Sequence, residues 1–336
     1  MEFDGIMKKM IQVAKEDVKV IALTELNDVR VLKAASIVAS EKIAKIVLIG
    51  DPKEAEEICL KEKIDLSSPY ISFRNPLTDK DREKCILEFY ELRKEKGMTL
   101  EEAKEKMKDP MYFATMLAQI DEIDGVVSGA VHSTANTLRP ALQIIKGAKG
   151  VTTISSFFLI ETHKKELGNS GVLLFSDCGL IEFPTEEQLV DIAIASAQSF
   201  RLLTKQEPKV AFLSYSTKGS AKNPSIDKLV HVVEELKQRK VDFEVDGELQ
   251  LDAAIIPEVA KIKAPDSPVA GKANVLIFPN LEAGNIGYKM AQRFGDTLAL
   301  GPVMQGLRKP INDLSRGCNV ADIIGTIAVT CVQTGK

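Results

Sequence analysis

Short apolar runs alternate along this chain with longer amphipathic stretches. Residues 18–23 (VKVIAL) read as a buried strand, 28–40 as a helix and 45–50 (KIVLIG) as a second strand. Strand, helix, strand in that order predicts a right-handed βαβ unit and therefore a parallel sheet. A charged helix with one apolar face is expected over residues 79–96. Thr99 with Glu102 has the spacing of a capping box, and Asp109 followed by Pro110 places an N-cap and a first-turn proline at the head of another helix. Residues 123–128 read as a short strand running into a glycine-containing loop. Later strands are predicted at 151–154, 172–175, 210–213 and 275–278, and helices at 186–200, 225–239 and 286–294. The last helix, 320–332, is apolar on most sides, so it should be buried.

Length turns this pattern into two lobes, because 336 residues exceed the usual size of one compact core. The apolar share, 45%, is enough to build both. A formal net charge of -4 without a basic stripe argues against a nucleic-acid partner, although a few local arginines could still hold an anionic ligand. The five cysteines are widely spaced, with no CxxC pair, which argues against a disulfide framework or a zinc site. No apolar run approaches the roughly 18 residues that span a bilayer. The polar start, MEFDGIMKKM, is unlike a signal peptide, so a cytoplasmic protein without a membrane partner is expected.

Four segments carry a family resemblance: SGAVHSTANTLRPALQIIK (128–146), the stretch from DGELQLDAAIIP to AGNIGYK (246–289), GPVMQGLRKPINDLSRGC (301–318) and VADIIGTIAVT (320–330). Together the chain resembles the phosphate acetyltransferase family from end to end. The resemblance implies a two-domain α/β, parallel-sheet-based fold similar to the isocitrate/isopropylmalate dehydrogenase type, with the active site in the interdomain cleft. It implies a discontinuous first domain, 1–148 plus 302–336, and a second domain, 149–301, inserted into it. It also implies a homodimer that carries acetyl between coenzyme A (CoA) and inorganic phosphate. CoA and acetyl-CoA are then substrates, with no permanently bound cofactor and no metal. Two departures stand out. The residues after Asp177 and Cys178 read GLIEFP where the family has an Asn-Pro-rich stretch, and Ser133 and Asn136 stand where many members have threonine and aspartate.

That reaction sets chemical requirements. A thiol with an ordinary pKa near about 8.5 needs a base at neutral pH, the acyl carbonyl needs donors as it turns tetrahedral, and the phosphate needs guanidinium forks. The motif at Ser315, Arg316, Gly317 and Cys318, with Asp322 following, matches the family's catalytic stretch. The resemblance assigns Ser315, Arg316 and Asp322 to the site, and the chemistry would make Asp322 the base toward the CoA thiol, Arg316 the holder of acetyl phosphate and Ser315 a hydrogen-bond donor to the phosphate or the developing oxyanion. Spacing alone offers a different part for Asp322. With Asn319 as N-cap it sits at the third position of the last helix, where backbone N–H groups favour the carboxylate and weaken it as a base. It could instead orient Arg316 or the thiol.

Arg139 precedes Pro140, a placement that predicts a helix beginning at Pro140 with Arg139 at its mouth. The family places a phosphate-contacting arginine there, and Ser133 and Thr134 just before it are further candidates for substrate binding. Arg93 shares a helix face with Ile86 and Phe89, and matches a substrate-site arginine in the family's ELR-type segment. As plain residues, Arg139 could pair with a surface acid and Arg93 could snorkel at the rim of the core. The loop at residues 216–220 (STKGS) is either a cradle for a CoA phosphate or an ordinary loop, since it lacks P-loop spacing. Cys318 beside Arg316 could be a nucleophile, but the family's direct transfer disfavours an acyl-enzyme. Met107, Met111 and Met116 read as core or dimer packing.

Three other functions fit parts of the pattern. A phosphate butyryltransferase shares the chemistry with a wider acyl pocket. A nicotinamide-dependent dehydrogenase shares the fold, but needs a metal-binding aspartate set that the sequence does not show. An inactive regulatory domain would not need the intact Ser315, Arg316 and Asp322.

Overall fold

The computed structural model describes residues 3–335, with Thr134 by its backbone alone. It divides into two compact units, Met1–Lys149 with Leu307–Lys336, and Gly150–Gly306. In chain order the strands are β1 (Val20–Leu23), β2 (Lys45–Ile49), β3 (Ile71–Arg74), β4 (Gly125–Ser128), β5 (Ser155–Glu161), β6 (Val172–Ser176), β7 (Lys209–Leu213), β8 (Glu244–Leu249), β9 (Val275–Ile277), β10 (Leu298–Gln305) and β11 (Ile311–Asp313). The helices of the first unit are α1 (Gly5–Glu16), α2 (Val29–Ser40), α3 (Pro52–Glu62), α4 (Arg82–Arg93), α5 (Leu100–Lys106), α6 (Pro110–Gln119) and α7 (Thr134–Pro140). Those of the second are α8 (Glu186–Thr204), α9 (Pro224–Gln238), α10 (Leu251–Ile255), α11 (Pro257–Lys263) and α12 (Leu281–Phe294), and α13 (Val320–Thr334) returns to the first.

The first unit is a sheet of order β11-β4-β1-β2-β3, parallel throughout. Strand order reverses beside β1: the chain first builds outward through β2 and β3, then places β4 on the other side of β1. In open α/β sheets the crevice at such a switch point, at the carboxyl ends of the strands, is where ligands bind. Strand β4 is buried along its whole length, and α13 packs on α1 and α2 with Ile323–Val332 buried without interruption. Met107, Met111 and Met116 lie in the core of this unit with Phe89, Phe113 and Ile144.

The second unit has the sheet order β10-β5-β6-β9-β7-β8. Strands β6, β9, β7 and β8 are parallel, while β10 and β5 run antiparallel, so the expected parallel sheet is a mixed one here. The strand predicted at 151–154 is irregular chain, and pairing starts at Ser155. The charged helix expected over 79–96 is α4, which ends at Arg93 in one turn of tighter helix. Among the described residues no helix is long and apolar enough to cross a membrane.

Candidate active site

Three loops leave the carboxyl ends of β1, β4 and β11, which are neighbours in the sheet. The first carries Thr24, Glu25 and Asp28 and leads into α2, whose second residue is Arg30; the second carries Gly129–His132 and the third Ser315–Cys318. Thr24 Oγ1 and the Ser128 Oγ lie 2.6 Å apart across the switch point, both buried. Gly129 has φ +112°, a conformation that side chains rarely adopt, and a Cβ there would lie 2.1 Å from Asp313 Oδ1. The second and third loops therefore pass in contact.

Glu25 of the first loop and Arg30 at the head of α2 hold the other two loops. The Glu25 carboxylate is buried and collects the backbone N–H groups of Gly129, Ala130, Val131 and His132 at 3.1, 2.9, 2.9 and 3.2 Å. Successive N–H groups around one anion form a nest, and here the anion is internal. His132 Nδ1 adds a fifth contact to Glu25 at 2.8 Å. Arg30 Nη1 donates to the carbonyls of Arg316 and Cys318 at 2.9 and 2.8 Å, and Nη2 donates to the Ala130 carbonyl at 2.9 Å. Asp28, the N-cap of α2, holds the same guanidinium from behind at 3.0 and 2.7 Å. Burial pushes the Asp28 carboxyl up, but the bonds from Arg30 outweigh it and its pKa falls below the ordinary value. No motif in the sequence marks these residues as part of the site. Their signal is a run of polar side chains, Thr24 and Glu25, directly after a buried apolar strand.

Asp322 lies at the third position of α13 in a full capping box. Asn319 N–H donates to Asp322 Oδ2 at 2.9 Å, and Asp322 N–H donates to Asn319 Oδ1 at 3.0 Å. Ser315, Arg316 and Gly317 are exposed on the preceding turn, which Cys318 N–H closes onto the Ser315 carbonyl at 2.9 Å. Cys318 itself is buried, and burial pushes its thiol up to about 11 although Arg30 pulls the other way. A neutral thiol is a poor nucleophile.

Arg139 is placed differently from its prediction. It is in the last turn of α7, not ahead of a helix at Pro140, and the chain continues through Pro140 into a π-helical turn, Ala141–Ile145. Burial of Thr137, Leu138, Ala141 and Ile144 outweighs the bias against helix before proline. Beyond Pro140 the helix ends in a wider turn, closed by Lys146 N–H on the Ala141 carbonyl at 3.1 Å. Arg139, Tyr112, Thr24, Ser128, His132 and Thr137 line a cavity of about 190 Å³ at the switch point. Arg93 is half-buried, with its Nε among the buried polar atoms that have no hydrogen-bond partner. Burial raises the Tyr112 phenol, with Arg139 and Arg93 pulling the other way. Ser133 is the exposed residue before α7, and its side chain makes no cap bond. The side chain of Thr134 lies outside the described residues.

The loop at 216–220 is no phosphate cradle. The buried Glu248 accepts from Gly219 N–H and the Ser216 hydroxyl, each at 2.8 Å, while Thr217 N–H is taken by Ser220 Oγ at 3.0 Å.

Residues 5–331 match the family model described as phosphate acetyl/butaryl transferase. The chain belongs to this family. Phosphate acetyltransferase from Acetivibrio thermocellus is 50% identical over 329 residues, 98% of either chain. Among solved structures, a phosphotransacetylase from Streptococcus pyogenes is 40% identical with a TM-score of 0.90 over 99% of both chains. One from Staphylococcus aureus is 39% identical with a TM-score of 0.86, covering 98% of this chain and 99% of the other. For a phosphate acetyl/butaryl transferase the three loops supply suitable parts: guanidinium groups for a phosphate, hydroxyl donors and a carboxylate at a helix start.

Proposed function

We propose that this chain transfers an acetyl group reversibly between CoA and inorganic phosphate, acting as a homodimer with CoA as substrate. Toward acetyl-CoA, the CoA sulfur attacks the carbonyl of acetyl phosphate, the C–O bond breaks and phosphate leaves. Arg316 holds the phosphate by a fork of N–H donors, and Ser315 donates to the oxygen that gathers charge. Asp322 takes the thiol proton. Arg139 and Arg93 bind phosphate groups of the substrates from the side of Tyr112, with Ser133 and Thr134 at the entrance to α7. What carries the reading is the exposed Ser315–Gly317 turn, held by its backbone through Arg30 and leading into the helix that bears Asp322.

The deciding assay is phosphate-dependent release of CoA from acetyl-CoA. Wild-type protein should release CoA, and Arg316→Ala should lose about 100-fold or more in turnover. An Arg316→Ala protein as fast as wild type would overturn the assignment. The family model spans acetyl and butyryl transfer, so acetyl-CoA is run against butyryl-CoA. One or two methylenes separate the two by about 1–3 kcal/mol, and acetyl-CoA should be preferred.

A further inference from the structure

The buried Glu25 carboxylate already accepts four backbone N–H groups, so the loop after β4 is anchored without any help from the His132 ring. The ring nevertheless makes a fifth contact, from Nδ1 to Glu25 Oε1 at 2.8 Å. A carboxylate that is accepting from four donors sets the direction of that bond: Nδ1 donates. The ring is thus held by one nitrogen in a fixed orientation, as in sites where the other nitrogen has a task. The His132 side chain is 49% exposed, the ring lines the cavity, and Nε2 bonds to none of the described residues.

The rest of the cavity identifies what that nitrogen would meet. Arg139 and Lys106 bring positive charge, and Thr24 and Ser128 bring hydroxyls. The acid in the lining, Asp109, is engaged as the N-cap of α6, taking Met111 and Tyr112 N–H at 2.8 and 3.1 Å. Thr137 gives an independent sign of a missing partner. It is fully buried, lines the same cavity, and its Oγ1 has no hydrogen-bond partner. A buried hydroxyl normally finds one. Fixed donors and cations around an unfilled hydroxyl suit a tetrahedral oxyanion.

Resting on the transferase reading above, we propose that His132 donates Nε2–H to an oxygen of a substrate phosphate group, and that Glu25, by accepting from Nδ1–H, is the residue that positions it. The phosphate could be the inorganic ion with its acetyl ester, or one carried by CoA.

Two substitutions separate this from a purely structural role. An asparagine amide reaches about as far as Nδ1, so His132→Asn can keep the tie to Glu25 and lose the contact to the cavity. A glutamine amide reaches about as far as Nε2, so His132→Gln does the reverse. The proposal predicts that Asn raises the KM of one substrate about tenfold or more, the scale of a lost hydrogen bond to a charged group, while Gln, which keeps the reach but loses the positioning tie, raises it by less. Phosphate is varied at saturating acetyl-CoA, then acetyl-CoA at saturating phosphate, and the substrate whose KM moves identifies the source of the phosphate. Thermal melts confirm that both variants fold. If Asn matches wild type, or if Gln is as impaired as Asn or more so, His132 serves only the loop and the proposal fails. A wild-type protein that releases no CoA would instead sink the transferase reading. In that event calorimetric titration with inorganic phosphate and with CoA still decides: binding of either by wild type but not by His132→Asn supports the contact, and equal binding refutes it.

Discussion

Arg30 places its guanidinium on five acceptors from three separate stretches of chain: both oxygens of Asp28 and the carbonyls of Ala130, Arg316 and Cys318. Lysine has the charge but not the fork, so it cannot span that set. Arg30→Lys should fold and yet lose about tenfold or more in kcat, because the Ser315–Cys318 turn is no longer fixed. Unchanged kcat would show that the turn holds itself. Cys318 gives the opposite expectation. With its thiol pushed up to about 11, only about one molecule in a thousand is thiolate at pH 8, so Cys318→Ala should keep turnover within a few-fold and iodoacetamide should label the position slowly. Rapid labelling with loss of activity would revive a nucleophilic cysteine. Residues such as Ser315, Arg316 and Asp322 were legible through their motif, and Glu25 was not. A lone glutamate after a strand looks like any surface acid until the nest it fills is folded around it.

At the scale of elements, helix starts were the most legible features. Thr99, Asp109 and Asn319 all cap the helices their spacing predicted, because a cap is a local contest between a side chain and three or four N–H groups. Asn319→Ala should cost about 1 kcal/mol in a denaturant melt and also reduce turnover, since Asp322 loses its partner. A loss of stability with full activity would separate the cap from the chemistry. Long-range packing was less legible. Strand β8 escaped notice because its buried side chains include Asp246 and Glu248, which satisfy Lys218 and the 216–220 loop and give no apolar pattern. Strand β10 is interrupted by Gly301 and Pro302, where its register against β5 shifts. Pro140 misled because tertiary burial of the helix around it outweighed the local bias.

For the whole molecule, alternating apolar runs conveyed the α/β class, but not the antiparallel strands at one edge of the second sheet. The buried thiols add a global pH response. Burial pushes Cys85 and Cys331 up to about 12, well above the ordinary thiol value. Above pH 9 the unfolded chain therefore gives up these protons first, and stability falls as pH rises toward the folded values, by up to about 1.4 kcal/mol per pH unit for each thiol. Urea melts between pH 8 and 11 should show this decline, and Cys331→Ala should flatten it. A slope identical to that of wild type would mean that other groups cause it.

The first sheet also has a history imposed by chain order. Strand β4 is translated long before its outer neighbour β11, and the whole second unit emerges from the ribosome between them. Until residues past 313 are free of the exit tunnel, β4, buried along its length in the folded protein, has one naked edge, the kind that pairs with strangers. Newborn chains of this protein should thus depend on chaperones most at that stage, and ribosome-bound fragments stalled before residue 307 should clump more readily than those released whole.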